Sequence, residues 1–395
     1  MKATLYLSYF TFKKHWLKRL KRRITIGSYV MMRIGDVELK LASGPVPHYK
    51  EIVALTRAII QVLEHEFGPR EGIRRFSDPL WFNAYACLVG FEWNYSGMTT
   101  VTLRALKEAL KDVDTGLIAL GGKGKNAKIT EELRHIDLKD SLKEKLAEVS
   151  IKSARLDSTL IQDGYSLYFH FMIANEHGDF TVINQKMSTE AQKVRRFHWI
   201  SDKDLFSDPQ IGFGSASKVL NIAASEIEET RKTIMDILHD ERPEKIVTYI
   251  TRLRSRSTTL VSIIEDKDPF GRLRVLQELP EYLRIPKKVH IEAIRVAQEA
   301  EKFEDLLVKS GFGPGLARSL VYVADIIYGS PISWKDPVRY TFAHGTKAGR
   351  PYYVRRRLMR REAEVLENAI KEAKLGNNAK LRALKRLKEL VILEE

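Results

Sequence analysis

The residues best suited to chemistry lie in the middle of the chain. Asp157, Asp163 and His170 fall within fourteen residues, and Gln185 follows at the end of a second apolar segment. Carboxylate and imidazole groups hold hard divalent cations such as Mg²⁺ or Mn²⁺, and a carboxylate can also orient a histidine base. We expect the first three residues to bind the metal and all four to be catalytic. The alternative is structural, with Asp163 building a turn and His170 in the core.

Two basic segments flank these residues. Gly121–Lys125 is a Gly-Gly-Lys-Gly-Lys sequence that follows an apolar segment, where backbone N–H groups together with Lys123 and Lys125 could cradle a phosphate. Its spacing differs from that of the phosphate-binding loop of nucleotide hydrolases. Farther along, Arg195 and Arg196 precede an aromatic-His-aromatic run, and this mixture suits nucleic acid. The alternative for Gly121–Lys125 is a flexible basic loop. The alternative for the arginine segment is a basic helix packed on its aromatic residues.

A third segment indicates how DNA would be held. Residues 307–320 resemble a helix-hairpin-helix, a module that grips the DNA backbone without reading bases, with Gly311 and Gly313 in its turn. Both glycines can take positive φ, and the N–H groups that open the second helix suit a phosphate oxygen. Lys309 and Arg318 add positive charge beside the turn. The alternative is an ordinary corner between two helices with glycine at the C-cap.

The composition also favours an anionic partner. The 395 residues include 66 Lys or Arg against 51 Asp or Glu, a net charge of +15, which favours nucleic acid or a membrane surface. The single cysteine, Cys87, excludes an intramolecular disulfide and a cysteine-based metal site, which fits a reducing cytoplasm. No apolar run approaches the ~20 residues of a membrane span. We therefore expect a cytoplasmic protein without a membrane span.

The hydrophobic pattern predicts an α+β fold. Helical spacing occurs over 48–66, 80–90, 97–111 and 138–156, and strands are expected over 116–120, 165–173 and 180–185, the last two forming an antiparallel hairpin. Beyond about residue 217 the spacing is helical throughout. We predict a basic extension over residues 1–31 and a mixed α/β catalytic domain with a small, largely antiparallel sheet over residues 32–212. An all-helical DNA-binding domain that contains the helix-hairpin-helix would follow over residues 213–395.

The first thirty residues contain eight Lys or Arg and no acidic residue. Residues 10–23 would suit a basic amphipathic helix on anionic lipid or nucleic acid, and the lack of acid also suits a transit peptide. The third interpretation is an extension upstream of the natural start, which would be Met31 or Met32. We favour this last interpretation and expect residues 1–30 to be dispensable.

Five separated motifs carry a broader resemblance. The chain resembles the domain of unknown function 763 family over about residues 32–390, through the motifs Ser77–Phe82, Gly121–Lys125, Gln162–Tyr168, Arg195–Trp199 and Ser333–Gly345. The family occurs in archaea and bacteria, so the resemblance implies a cytoplasmic prokaryotic protein and argues against an organelle transit peptide. It implies no particular activity.

The functional expectation is a DNA-binding protein that processes or repairs DNA. A metal-dependent nuclease using Asp157, Asp163 and His170 is favoured. The alternatives are a DNA glycosylase with Asp336 as its functional carboxylate, and a non-catalytic DNA-binding or scaffold protein. Because polar residues cluster at predicted strand ends, we expect Lys123 or Lys125 to line one concave surface with Asp163, His170 and Gln185.

Overall fold

The computed structural model describes residues 39–40, 46, 48–91, 96–124, 128–200, 206, 211–213, 216, 218–255 and 278–337, which belong to one compact unit. The predicted extension 1–31 and Lys125 lie outside the described residues. The described part is a mixed α+β structure, as the hydrophobic pattern predicts.

An antiparallel sheet forms the middle layer. The strands are β1 Leu39–Lys40, β2 Leu117–Lys123, β3 Ile161–Gln162, β4 Ser166–Asn175, β5 Phe180–Ser188, β6 Lys193–Ile200, β7 Ile211–Phe213 and β8 Leu220–Asn221. The order of the main sheet is β1-β6-β5-β4-β2, with β7 paired to β6, whereas β3 and β8 form a separate antiparallel pair. The predicted hairpin is confirmed as β4 and β5. The predicted strand at 116–120 extends through Lys123, so its glycines pair with β4.

Helices cover both faces of this sheet. They are α1 Tyr49–Phe67, α2 Pro69–Phe76, α3 Pro79–Leu88, α4 Gly97–Ala109, α5 Ile129–Leu133, α6 Asp140–Arg155, α7 Glu228–Asp240, α8 Pro243–Ser255, α9 Ile291–Gln298 and α10 Pro314–Tyr328. Helix α6 continues into a π-helical turn, Leu156–Leu160, and a 3-10 helix, Phe303–Val308, precedes α10. The helices predicted from spacing over 48–66, 80–90, 97–111 and 138–156 are confirmed to within a few residues.

Strand alternation gives the sheet two buried faces. On one, Phe171 and Ile183 belong to an apolar cluster shared with α1 to α4, which we call the α4 face. On the other, Met172, Val182 and Phe197 join a cluster with residues of α6, α7, α8 and α10, which we call the α6 face. This second cluster includes residues on both sides of position 212, and the division into two domains stays a prediction.

The C-terminal part is mainly helical but contains other structure. Strand β8 pairs with β3, and residues 329–337 run without helix or strand after α10. This segment is held by side chains of α7 and β8: Thr230 Oγ1 donates to the Pro331 carbonyl, and Asn221 Nδ2 donates to the Lys335 carbonyl at 3.2 Å. The expectation of an all-helical segment beyond about residue 217 is therefore wrong for these residues. Hydrophobic spacing in short, proline-interrupted stretches did not distinguish helix from extended chain.

Candidate functional site

A β-bulge in β4 sends Tyr168 and His170 to opposite faces of the sheet. The register between β4 and β5 shifts between Leu167 and Phe169. One extra residue reverses the alternation of side chains beyond it. As a result the Tyr168 hydroxyl accepts a hydrogen bond from Gln185 Nε2 on the α4 face, whereas His170 bonds Ser150 of α6 on the other face. Regular alternation along an unbulged strand would instead place Tyr168 and His170 on the same face.

His170 lies in a buried chain of hydrogen bonds, which we call the His170 network. Its Nε2 is 2.7 Å from Ser150 Oγ and its Nδ1 is 2.6 Å from Asn184 Oδ1. Asn184 Nδ2 in turn donates to Asp157 Oδ2 at 2.7 Å, and Trp199 Nε1 donates to the same oxygen at 2.9 Å. Asp157 is held in the π-helical turn that ends α6. Asp157 and His170 are therefore connected through Asn184, which the sequence did not single out.

Burial decides the charge of the histidine in this network. The side chain is 7% exposed, and burial lowers the pKa of His170 below its ordinary value, although the hydrogen bond to Asn184 opposes the shift. A neutral imidazole at neutral pH can accept a proton. His170 therefore stays uncharged in the buried network at neutral pH.

Asp163 belongs to a second buried group, which we call the Asp163 cluster. One carboxylate oxygen is 2.6 Å from Lys186 Nζ, and the other bonds Arg195. Arg195 also bonds Asp336, so two cations and two carboxylates balance. Burial lowers the pKa of Lys186, with Asp163 opposing that shift. Burial also acts to lower the pKa of Arg195, but the carboxylates of Asp163 and Asp336 outweigh it and raise that pKa.

The donors around the two aspartates do not suit the predicted divalent cation. Asp157 accepts hydrogen bonds from Asn184 and Trp199, and the carboxylate of Asp163 lies against two cations. A Mg²⁺ or Mn²⁺ ion at Asp163 would share its site with positive charge. Within the described part of the chain, no three His, Cys, Asp or Glu side chains are grouped as a metal site requires. The predicted site of Asp157, Asp163 and His170 thus finds no support.

Gln185 and Arg196 lie on the α4 face, away from His170. Gln185 bonds Thr99, and Arg196 bonds Asn83 and, at 3.2 Å, Thr99 Oγ1. Burial lowers the pKa of Arg196 to about 9. Arg196 and Arg195 are each 0% exposed. Neither guanidinium reaches the surface, where the predicted contact with nucleic acid would be made, because both belong to the buried strand β6 and not to a surface helix.

The four side chains expected on one concave surface are separated by the sheet. His170 and Asp163 belong to the α6 side, with Asp163 bonded to Lys186 there. Gln185 belongs to the α4 face, and the exposed Lys123 has its Nζ 5.9 Å from the ring of Tyr168, which bonds Gln185. The prediction of one shared surface is wrong. The prediction assumed that strand ends converge. It did not allow for neighbouring residues of β5 pointing their side chains to opposite faces of the sheet.

The glycine turn before α10 has the predicted local geometry. Gly311 has φ +81°, and Gly313 donates its N–H to the Gly311 carbonyl at 2.9 Å. A Cβ on Gly311 would be 2.8 Å from the Cβ of Ala293 in α9, so the position requires glycine for both space and conformation. Pro314 opens the helix, and Phe312 is buried beneath the turn. The turn and helix start lie where expected, but Gly313 has φ −107° and does not use the positive φ that glycine allows. The helix-hairpin-helix assignment stays a prediction.

The two cations predicted to reinforce this turn have protein partners. Lys309 Nζ lies 3.1 Å from Glu299. Arg318 donates from Nε to the Arg284 carbonyl at 2.6 Å and from Nη1 to Gln162 Oε1 at 3.2 Å. Burial lowers the pKa of Arg318. Arg318 therefore ties α10 to the segment before α9 and to β3.

An exposed group of basic residues lies next to the turn. The C-terminal half of α8 and residues 286–290 enclose a groove of about 230 Å³ that is lined by Arg254, Lys287, Lys288 and His290. The other described residues that line it are uncharged: Val247, Ile250, Thr251, Pro286 and Val289. We call this the basic groove. Pro286 is 3.3 Å from the position of a Cβ on Gly315, so the groove adjoins the first turn of α10.

Several residues of the His170 network and the basic groove were not predicted from the sequence. Ser150 and Asn184 carry no local signal, because their roles depend on contacts between α6, β4 and β5. The basic groove did leave a signal. Arg284-Ile285-Pro286-Lys287-Lys288 is a short basic run interrupted by proline, as expected of an exposed segment.

Comparison with known proteins places the chain in one family. The chain belongs to the family described as protein of unknown function (DUF763), whose match covers residues 35–354. The search of curated proteins and the search of solved structures returned no match. None of the helices in the described ranges has the combination of length and apolarity needed to cross a bilayer.

Proposed function

We propose that this protein binds DNA through backbone phosphates, at the basic groove and the adjoining turn before α10. The observation that carries the proposal is the composition of the groove. Arg254, Lys287 and Lys288 are exposed cations and His290 also lines the groove, while no carboxylate among the described residues lines the same space. Phosphate contacts of this kind supply most of the sequence-independent affinity for nucleic acid.

The size and position of the groove support the same function. Its volume is below the ~300–1,000 Å³ typical of pockets for small organic ligands. An elongated polyanion can instead contact the groove and extend along the surface. The start of α10 lies beside it, where the helix dipole adds a favourable potential for phosphate.

The described residues favour binding without catalysis over the two enzymatic alternatives. The nuclease hypothesis needs a group of metal ligands, and none occurs among these residues. The glycosylase hypothesis needs Asp336 beside the turn, but its carboxylate bonds Arg195 of the central sheet. A non-catalytic DNA-binding protein requires only the basic surface.

The test is charge reversal in the full-length chain. Lys287→Glu combined with Lys288→Glu is compared with Lys111→Glu combined with Lys139→Glu, which changes the net charge equally at exposed positions outside the groove. Binding of a fluorescent DNA duplex is followed by anisotropy at two salt concentrations. We expect a loss of roughly tenfold or more in affinity for the groove pair, since each position removes a favourable phosphate contact and adds a repulsive one.

The control pair decides what a loss means. A much smaller loss in the Lys111 and Lys139 pair supports binding at the groove. Equal losses in both pairs would contradict it, since the DNA would then respond only to net charge. Undetectable binding by the unmodified chain would reject the proposed function. The melting temperature of each variant shows that it is folded.

A further inference from the structure

Helix α8 forms one side of the basic groove and carries a row of exposed polar residues. Glu244, Thr248 and Thr251 are spaced four and three residues apart, so they lie along one side of the helix, and all three are exposed. Ile246 and Leu253 are buried on the opposite side. Thr248 Oγ1 donates to the Glu244 carbonyl at 2.8 Å, which keeps this short side chain against the helix. Helix α8 therefore presents a polar face to the solvent.

Cations lie on both flanks of this row. Each residue turns an α-helix by about 100°, which places Arg252 and Arg254 about 160° apart around α8, with the two threonines between them. Arg254 Nη1 donates to the Lys287 carbonyl, so the lysines of the basic groove belong to the same flank as Arg254. The other flank is that of Arg252.

The flank of Arg252 is positive although it contains carboxylates. Arg242, Lys245 and Glu244 border the same surface depression as Arg252. Lys245 Nζ lies 2.7 Å from Glu241. The carboxylate of Glu244 is shared with an arginine of α9 at 3.4 Å. Three cations of this flank therefore stand against two carboxylates, and α8 is bordered by net positive charge on both sides.

Two cationic flanks separated by a helix match the phosphates on either side of a DNA major groove. An α-helix with its side chains is about 10–12 Å across, and the major groove is about 12 Å wide. The described residues of α8 and of the groove lining include no exposed Phe, Tyr or Trp, since Tyr249 is 7% exposed. Single strands bind largely by stacking on such side chains. The surface therefore suits a duplex better than a single strand.

We propose that α8 enters the major groove of duplex DNA, with Thr248 and Thr251 against base edges and the two flanks against phosphates of opposite strands. This inference rests on the proposed function and names duplex DNA as its partner. Threonine hydroxyls bond base edges, and threonine methyl groups contact the methyl group of thymine. Such contacts depend on base sequence, whereas the phosphate contacts of the basic groove do not. The protein should therefore prefer some duplexes over others of the same length.

The first test compares two duplexes that differ only in the major groove. In one of them, glucosylated 5-hydroxymethylcytosine replaces cytosine, which fills the major groove with glucose and leaves the phosphate charge unchanged. Anisotropy measures the affinity of the full-length protein for each. We expect roughly tenfold or weaker binding to the glucosylated duplex, because base-edge contacts are lost. Equal affinities would overturn the inference and leave the proposed function standing. Undetectable binding to both duplexes would reject the proposed function, and this inference with it.

A second measurement identifies which element lies in the groove. A duplex that contains 4-thiothymine carries sulfur in its major groove, and near-ultraviolet light crosslinks that sulfur to side chains in contact with it. We expect the crosslinked peptide, located by mass spectrometry, to contain Thr248 or Thr251. Crosslinks confined to other peptides, or none from a duplex that binds, would overturn the assignment to α8.

The flank away from the basic groove is tested with Arg252→Ala. If Arg252 contacts a phosphate, its loss should reduce the slope of log affinity against log salt concentration by about 0.9 on the unmodified duplex. Lys139→Ala is the matched control, an exposed cation outside both flanks. The melting temperature shows that each variant is folded. A slope that Arg252→Ala leaves unchanged, or that both variants lower equally, would show that DNA does not span α8.

Discussion

Lysine and arginine serve opposite purposes in two regions of this protein. The Asp163 cluster holds Lys186 and Arg195 completely buried and neutralised by two carboxylates. The basic groove holds Lys287 and Lys288 exposed, and the described residues that line it include no carboxylate. Buried charge is expensive unless it is paired, whereas exposed charge keeps its hydration until a partner arrives. Position in the fold, and not residue type, thus decides which cations are available to an anion.

The largest loss of stability is expected when a carboxylate is removed from the buried Asp163 cluster. Asp163→Asn leaves Lys186 and Arg195 with Asp336 as their remaining carboxylate in the cluster. Loss of one partner from a buried ion pair typically costs about 3–5 kcal/mol. We expect a loss of that size in the free energy of unfolding measured with urea. The exposed Asp137→Asn should change it by less than about 0.5 kcal/mol. Equal effects would show that the Asp163 cluster contributes no special stability.

A smaller effect is expected at the turn beside the groove. Gly311→Ala combines a strained φ of +81° with a contact of 2.8 Å to Ala293, and should cost about 2–3 kcal/mol. Gly313→Ala is the control, because Gly313 has φ −107° and open space at its Cβ position. Adding Ala293→Gly to Gly311→Ala should recover part of the loss by removing the contact. If Gly313→Ala costs as much as Gly311→Ala, the turn is not packed as described.

These two regions also show how far the sequence could be interpreted. Periodicity identified the helices on both sides of the sheet and the β4–β5 hairpin, since local spacing reports which residues face a core. Regular alternation cannot give the opposite facing of Tyr168 and His170, because a bulge depends on the partner strand. The basic and aromatic composition of residues 195–199 predicted a nucleic-acid contact for Arg195 and Arg196, which are buried. Long-range contacts such as Arg195 with Asp336, 141 residues apart, leave no mark in local sequence.

The buried histidines should make the stability of the protein depend on pH. Burial lowers the pKa of His170 and places that of His198 well below its ordinary value. In the unfolded chain each histidine has its ordinary pKa of ~6.5, so as pH falls the unfolded chain takes up protons before the folded protein does. Stability is therefore complete above about pH 7 and declines as pH drops through 6.5, by up to about 1.4 kcal/mol per unit for each histidine. Urea unfolding between about pH 5 and 7 measures it. His170→Gln should flatten the slope of stability against pH, and an unchanged slope would show that His170 does not contribute to it.

The smallest effect concerns single cations of the basic groove. Lys288→Ala should leave stability nearly unchanged, because the side chain is exposed and surface substitutions seldom exceed about 0.5 kcal/mol. If Lys288 contacts a phosphate, its loss should reduce the slope of log affinity against log salt concentration by about 0.9, the contribution of one phosphate contact on duplex DNA. Anisotropy titrations at several salt concentrations measure that slope, with Lys139→Ala as the exposed control outside the groove. A slope that both variants lower equally would mean that DNA samples the whole positive surface. A slope lowered only by Lys288→Ala would locate the phosphate path along the groove, where exposed cations contrast with the buried, neutralised ones of the Asp163 cluster.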